Sequence, residues 1–383
     1  VLTLESLAGD ESQEVKFGEL ESKLAQLGRA KMKEHQGAEA TITRAASLTL
    51  VVLVETPEAA QEVSKQICAI SEQNPCRAVI LVAQPEAKPS GLRAWISVHF
   101  NQPSSSPAKR LCAEQILVEA RGSAVNDLGS AVLPLTLSGL PVHFWWRTAR
   151  FDPPDYFRQV FRLTSRVLLD SARFLHPEVD LLELAGHVER QSAQFSFQDL
   201  NWSRITPWRE LISQCFDRPE TRGYLDRLER VRIEYESESP RLAAQGVQAL
   251  LIAGWLAGRL QWQPAARPSK KQDGTSSFYL RAPHGEVEVQ RVARLFEGAG
   301  KGVCFWITLE AGGDPPASFK LDRGCDGRSV ETRAEIVGRP LVTRTVRLEV
   351  LDEAELVNEE LQISGRDPIF EESLSIVARC LQT

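Results

Sequence analysis

The chain has 383 residues, 43% of them apolar and 25% charged, with a formal net charge of -6. That length makes two domains, or three, and the composition is that of a globular protein with a sizeable core. The acidic balance argues against a dedicated nucleic-acid binder, which needs a basic field to release counterions, and no apolar run reaches the roughly 20 residues of a membrane span.

The opening Val-Leu-Thr-Leu-Glu has no signal pattern. Phe17, Leu20, Leu24 and Leu27 recur at helical spacing. They predict an amphipathic helix over 16–34, within a peripheral segment 1–40 that docks on the body of the protein or on another chain. Ser47 to Val54 is a continuous β-branched run, as in a strand covered on both faces. A helix follows from Pro57 to Ser71, its proline in the tolerated first turn. Strands are expected at 77–83, 91–100 and 110–121, with a Ser/Pro-rich loop at 101–108 and a short helix at 123–132.

The run Val142-His-Phe-Trp-Trp-Arg147 follows a Pro-bounded turn and is long enough for one strand. A period of two sends Val142, Phe144 and Trp146 one way and His143, Trp145 and Arg147 the other. Pro153-Pro154-Asp155 opens another helix and Arg166 to Asp170 returns as a strand, so strands alternate with helices. Residues 177–217 read as helical in two pieces. The second holds Asp199-Leu-Asn-Trp-Ser-Arg-Ile-Thr-Pro-Trp-Arg-Glu-Leu, in which Thr206 is placed to cap and Pro207 to start a turn that separates Trp202 from Trp208.

A second domain begins with a strand at 231–235 and an all-round apolar helix at about 240–262, its spine. Gly254 and Gly258 within it carry a weak hint of close helix packing. After a polar loop at 264–276 come strands at 278–282, 286–295, 302–309, 318–322, 329–337 and 343–350, mostly antiparallel, with Asp326-Gly327 a hairpin turn. Helices at about 352–362 and 367–381 close the chain. The fold class is α/β, an N-terminal sheet flanked by helices over 1–197, followed by an α+β domain of mostly antiparallel strands over 198–383.

No reacting centre emerges. Val54-Glu-Thr-Pro57 stands where a dinucleotide-binding strand would be followed by Gly-x-Gly-x-x-Gly. The glycine cluster Gly298-Ala-Gly-Lys-Gly302 resembles a phosphate loop but lacks its Ser/Thr and precedes a strand. The six histidines are isolated from metal-ligand spacing, and Gly-x-Ser-x-Gly is absent. No catalytic, cofactor-binding or metal-ligating residue is assigned. Seven cysteines, odd in number and never in Cys-x-x-Cys, exclude a zinc ribbon and fit a reducing cytoplasm. Eight tryptophans remain, and Trp with Arg anchors interfaces. Trp145, Trp146, Arg147, Trp202, Trp208 and Arg209 are therefore candidates for a partner surface, against the plainer role of filling cores. A competing class is a sugar-phosphate site at the carboxyl edge of the first sheet, gripped by His143, Arg147 and Arg150.

Three passages together resemble one family: 133–146 (Leu-Pro-Leu-Thr-Leu-Ser-Gly-Leu-Pro-Val-His-Phe-Trp-Trp), 199–217 (the Asp-Leu-Asn-Trp block) and 359–372 (Glu-Glu-Leu-Gln-Ile-Ser-Gly-Arg-Asp-Pro-Ile-Phe-Glu-Glu). The family is that of the glucose-6-phosphate dehydrogenase assembly protein OpcA of cyanobacteria and actinobacteria, and the likeness covers about 45–383. It implies a non-enzymatic chain that binds glucose-6-phosphate dehydrogenase, promotes its active oligomer and raises its apparent affinity for substrate, by binding one arrangement better than another. It also implies thioredoxin as a partner, with Cys304 and Cys325 the first candidate redox pair and Cys68 with Cys76 the next.

Overall fold

The computed structural model describes residues 13–35, 46–101, 110–191, 193–237, 246–270, 274–295, 303–324 and 326–382. The chain divides into two discontinuous units. The first comprises Val1–Asp170, Gln191–Gln198 and Asp352–Arg366, the second Ser171–Arg190, Asp199–Leu351 and Asp367–Thr383. The sequence suggests a single cut at 197/198; instead the chain passes between the units five times.

The first unit is built on an eight-stranded sheet. Its strands are β1 (Gln13–Val15), β2 (Leu48–Val54), β3 (Cys76–Gln84), β4 (Gly91–Asn101), β5 (Arg110–Arg121), β6 (Val142–Trp146), β7 (Thr164–Leu169) and β8 (Ser196–Asp199), in the order β1-β4-β5-β3-β2-β6-β7-β8. The central pairs β5/β3, β3/β2, β2/β6 and β6/β7 are parallel, and β4 and β1 extend the sheet antiparallel. A parallel centre needs helices on both faces, and every residue of β2 is accordingly buried. The chain runs outward from β2 through β3 and then returns to β2's other side with β6, so the switch point of this doubly wound sheet lies between β2 and β6. The helix Pro57–Gln73 starts there, capped by Thr56, whose hydroxyl accepts from the Ala59 amide at 3.2 Å.

The amino-terminal helix, Leu20–His35, settles where its apolar stripe goes. Leu20 and Leu24 are buried within the first unit, and Glu21 pairs with the buried guanidinium of Arg77 on β3. Arg77 also holds Glu114 of β5 at 2.9 Å. Half of the stripe is thus buried in this unit, while Phe17 and Leu27 stay half-buried.

The second unit carries the other eight-stranded sheet. Its strands are β9 (Leu228–Glu236), β10 (Gln263–Lys270), β11 (Thr275–Ala282), β12 (Gly285–Arg294), β13 (Cys304–Ala311), β14 (Ala317–Arg323), β15 (Ser329–Ile336) and β16 (Val342–Arg347), in the order β10-β11-β12-β9-β13-β14-β15-β16. Only the β12/β9 pair is parallel. The spine helix is Val247–Arg259, buried almost all round. It lies so close to the helix Pro368–Gln382 that a Cβ on Gly254 would stand 2.5 Å from the Ser373 carbonyl oxygen. The expected loop at 264–276 is instead mostly strand β10. Gly298–Gly302 lies outside the described residues.

Candidate functional site

In a doubly wound sheet, ligands enter at the carboxyl ends of the strands beside the switch point. Here that position is filled by the protein's own side chains. Alternation along β6 holds as expected. Phe144 and Trp146 join Phe151, Phe157 and Phe161 in an aromatic cluster with centroids 5.2–6.2 Å apart, and the Trp146 indole donates to the Arg150 carbonyl at 2.7 Å. The opposite face carries His143, Trp145 and, just past the strand, Arg147.

Arg147 is the keystone. Its side chain is 3% exposed, and its Nη2 donates to Glu62 at 2.7 Å and to Glu353 at 3.0 Å, while Nε donates to Glu353 at 3.1 Å. Glu62 comes from the helix that begins at the switch point, and Glu353 from the helix Glu353–Gln362. Burial disfavours the guanidinium's charge, but the two carboxylates outweigh that and raise its pKa. A fork already engaged by two carboxylates has little left for a phosphate.

His143 is shifted the other way. The Ser165 hydroxyl lies 3.1 Å from its Nδ1 and donates to the Val142 carbonyl at 3.1 Å. Burial first, then the charge of Arg166, lowers the imidazole from 6.5 to about 4, so it is neutral at physiological pH. Arg166 in turn donates to the carbonyls of Glu360 and Ile363. The third member of the proposed phosphate grip, Arg150, is exposed, and its carbonyl serves Trp146 and Thr148.

A dinucleotide does not fit this crevice. Its pyrophosphate would need glycines and open amides at the helix start, but Pro57 removes an amide, Thr56 caps another, and Glu58 and Glu62 add negative charge.

The Asp199 block makes a second knot, inside the second unit. Asp199 caps the helix Leu200–Arg204, accepting from the Asn201 amide at 3.0 Å, and also takes the Ser171 amide at 2.9 Å and the Ser171 hydroxyl. Asn201 passes the chain of bonds to Gln248 at 3.0 Å, and Gln248 accepts from the Cys304 amide at 2.9 Å. The Trp202 indole donates to Asp367 at 2.8 Å. Asp367 caps the last helix through the Ile369 and Phe370 amides, and Trp202 lies against the Phe370 ring. Arg209 stacks 3.7 Å above Trp202 and donates to the Thr206 hydroxyl at 2.7 Å. Thr206 is therefore not the cap the sequence suggests; its hydroxyl serves Arg209, and the break between the two helices falls at Ile205.

These positions correct one expectation. Trp145, Trp146, Trp202 and Trp208 are each no more than 3% exposed, and Arg147 is buried with them. The indoles fill the units and are not an exposed contact surface. Arg209 alone of the six is partly exposed. Cys304 is fully buried at the start of β13, its thiol pushed well up by burial, and Cys325 lies outside the described residues. Cys68 and Cys76 are both thiols. Among the described residues no cluster of His, Cys, Asp and Glu could hold a metal, and no helix is long and apolar enough to cross a membrane.

Together these features define a two-unit α/β protein whose first sheet is doubly wound and carries an ion triad of Arg147, Glu62 and Glu353 beside its switch point. Known proteins resemble it along most of its length. Residues 68–186 match the family described as the glucose-6-phosphate dehydrogenase subunit N-terminal domain, and residues 196–374 its C-terminal domain. The chain is 29% identical over 317 residues to the putative OxPP cycle protein OpcA of Nostoc punctiforme, covering 81% of this chain and 66% of that protein. It is also 29% identical over 320 residues to the Synechocystis protein of the same name, covering 82% and 65%. The chain thus spans about two thirds of the length of these curated relatives. Among solved structures, levoglucosan dehydrogenase in complex with NADH is 12% identical with a TM-score of 0.47, covering 88% of this chain and 97% of that one. A NAD binding oxidoreductase from Klebsiella pneumoniae is 12% identical with a TM-score of 0.46, covering 88% and 96%. The chain belongs to the OpcA family of glucose-6-phosphate dehydrogenase subunits.

Proposed function

We propose that this protein is a non-catalytic companion of glucose-6-phosphate dehydrogenase: it binds the enzyme, favours its active oligomer and so tunes flux through the oxidative pentose phosphate pathway. What carries the reading is one conjunction. Both halves of the chain match domains described as belonging to a subunit of that dehydrogenase, while the crevice where such a sheet takes ligands is closed by Arg147, Glu62 and Glu353. A companion chain acts through its surface, and its effect on the enzyme equals its preference for one of the enzyme's arrangements over another.

The test is co-purification with glucose-6-phosphate dehydrogenase, followed by substrate titration of the enzyme with and without this chain. The expected result is a stable complex and a lowered apparent KM. An enzyme whose kinetics and oligomeric state are unchanged by saturating amounts of the chain overturns the reading. So does turnover of glucose 6-phosphate by this chain alone.

A further inference from the structure

Sheet edges are hazards, because a row of unpaired main-chain groups invites another strand. Among the described residues the two sheets have four edges, and three are blunted. In the first unit β1 and β8 are only three and four residues long. In the second, β10 lies against the helix Pro368–Gln382, with Arg379 bonded to Gln263 at 3.1 Å. The fourth, β16, is six residues long, has no proline or bulge and is exposed along nearly its whole length.

The register gives the direction of its free groups. Residues of β16 pair with those of β15 in one unbroken antiparallel frame, and the next pair, Leu348 with Arg328, is joined by an amide-to-carbonyl bond of 2.6 Å. Bonded pairs alternate. Val342, Arg344 and Val346 therefore spend their main-chain groups on β15, and Thr343, Thr345 and Arg347 turn theirs outward.

Beside the strand runs a groove of about 490 Å³ between the β15–β16 hairpin and the helices Thr206–Gln214 and Pro219–Arg222. Leu211, Ala334, Ile336 and Val342 make its floor apolar. At the hairpin tip Val337 and Leu341 are 66% and 59% exposed. The rim is basic. Arg218, Arg339 and Arg344 line the groove and Arg347 ends the strand; among the described residues none of these four is ion-paired. Arginines on an edge can simply deter aggregation, but three without an ion-pair partner on an apolar groove, one of them bonded to Gln214, with Arg347 at the strand's end, also make a complementary seat for an acidic chain.

We propose that β16 and this groove dock an acidic, extended segment of the dehydrogenase, which adds to the second sheet as a ninth strand; this rests on the partner named above. Main-chain bonds to Thr343, Thr345 and Arg347 supply the affinity, and alternate apolar and acidic side chains fill the groove and meet the arginines.

The experiment measures binding of purified glucose-6-phosphate dehydrogenase to the full chain and to two variants, with amide exchange on the complex. Thr345→Pro removes an outward amide while sparing the ladder to β15, and Arg339→Glu/Arg344→Glu reverses the rim. At least tenfold weaker binding by each variant at unchanged melting temperature, with the Thr345 and Arg347 amides protected in the wild-type complex, is expected. Both variants binding within twofold of wild type, with those amides unprotected, overturns the docking edge and leaves the companion role standing. Loss in Thr345→Pro alone overturns the acidic character of the segment. Absence of any wild-type binding overturns both readings. Should Thr345→Pro melt early, the charge variant and the amide protection decide.

Discussion

Replacing Arg147 by leucine is the sharpest test of the sealed crevice. The guanidinium is desolvated and its charge is balanced by Glu353, itself only 11% exposed, and by Glu62, which is 66% exposed. Removing one partner of a buried pair leaves the other charge uncompensated and costs about 3–5 kcal/mol. Glu62→Gln removes an exposed partner and costs under about 1 kcal/mol. Leucines at both 147 and 353 leave no stranded charge, so the double variant recovers most of the loss, and the cycle gives a coupling of about 2–3 kcal/mol. Urea unfolding of these proteins, with Glu353→Leu as the second single variant, reads these values directly, and Arg147→Leu lowers the melting temperature by roughly 10 °C at about 2–4 °C per kcal/mol. If Arg147→Leu costs less than about 1 kcal/mol, or the double variant is as unstable as the two singles summed, the triad is not what closes the crevice.

Three further outcomes follow from the geometry. His143, held near 4 by burial and then by Arg166, stays neutral in the fold while the unfolded chain takes a proton below 6.5; its stability contribution is whole above that pH and falls by roughly 3 kcal/mol as pH drops toward 4. His143→Gln flattens that slope in pH-dependent melts, and an unchanged slope assigns the acid sensitivity elsewhere. Trp145→Ala and Trp208→Ala each lose about 3–5 kcal/mol in thermal melts, since both indoles are core; a variant that keeps full stability returns its indole to the surface. Gly254→Ala, whose Cβ meets the Ser373 carbonyl, loses about 1–3 kcal/mol despite better helix propensity, whereas Gly258→Ala meets only the movable Glu372 carboxylate and is near neutral; equal melting temperatures for the two contradict the close packing.

Periodicity made most elements legible, because β2, β6 and the spine helix bury whole faces and advertise them. The three missed strands share a cause. β1 is three residues long and β8 four, too short for alternation to register, and β10 carries Pro264, Pro268 and polar residues that read as loop. All three are edges, where a sheet tolerates proline and asks little of sequence. The indoles misled for another reason: composition counts tryptophans but says nothing about which are covered. Arg147's partners were out of reach of any local pattern, since Glu62 lies 85 residues away and Glu353 lies 206 away.

The three passages that carried the family likeness turn out to be packing knots. Residues 133–146 lead to Arg147 and its carboxylates, and the Asp199 block meets Asp367 and Phe370 from the closing passage. Such knots identify the fold, and on the companion role proposed above they do not perform its work. Substitutions there are then expected to reduce activation of the dehydrogenase only as far as they unfold the chain, so activity and melting temperature fall together. The proposed docking surface carries weak sequence signal, because exposed β16 needs only extended backbone and positive charge. Its variants must therefore separate the two readouts, losing activation while the melting temperature holds. A signature-block variant that stays folded and loses activation would place the working surface in the knots after all.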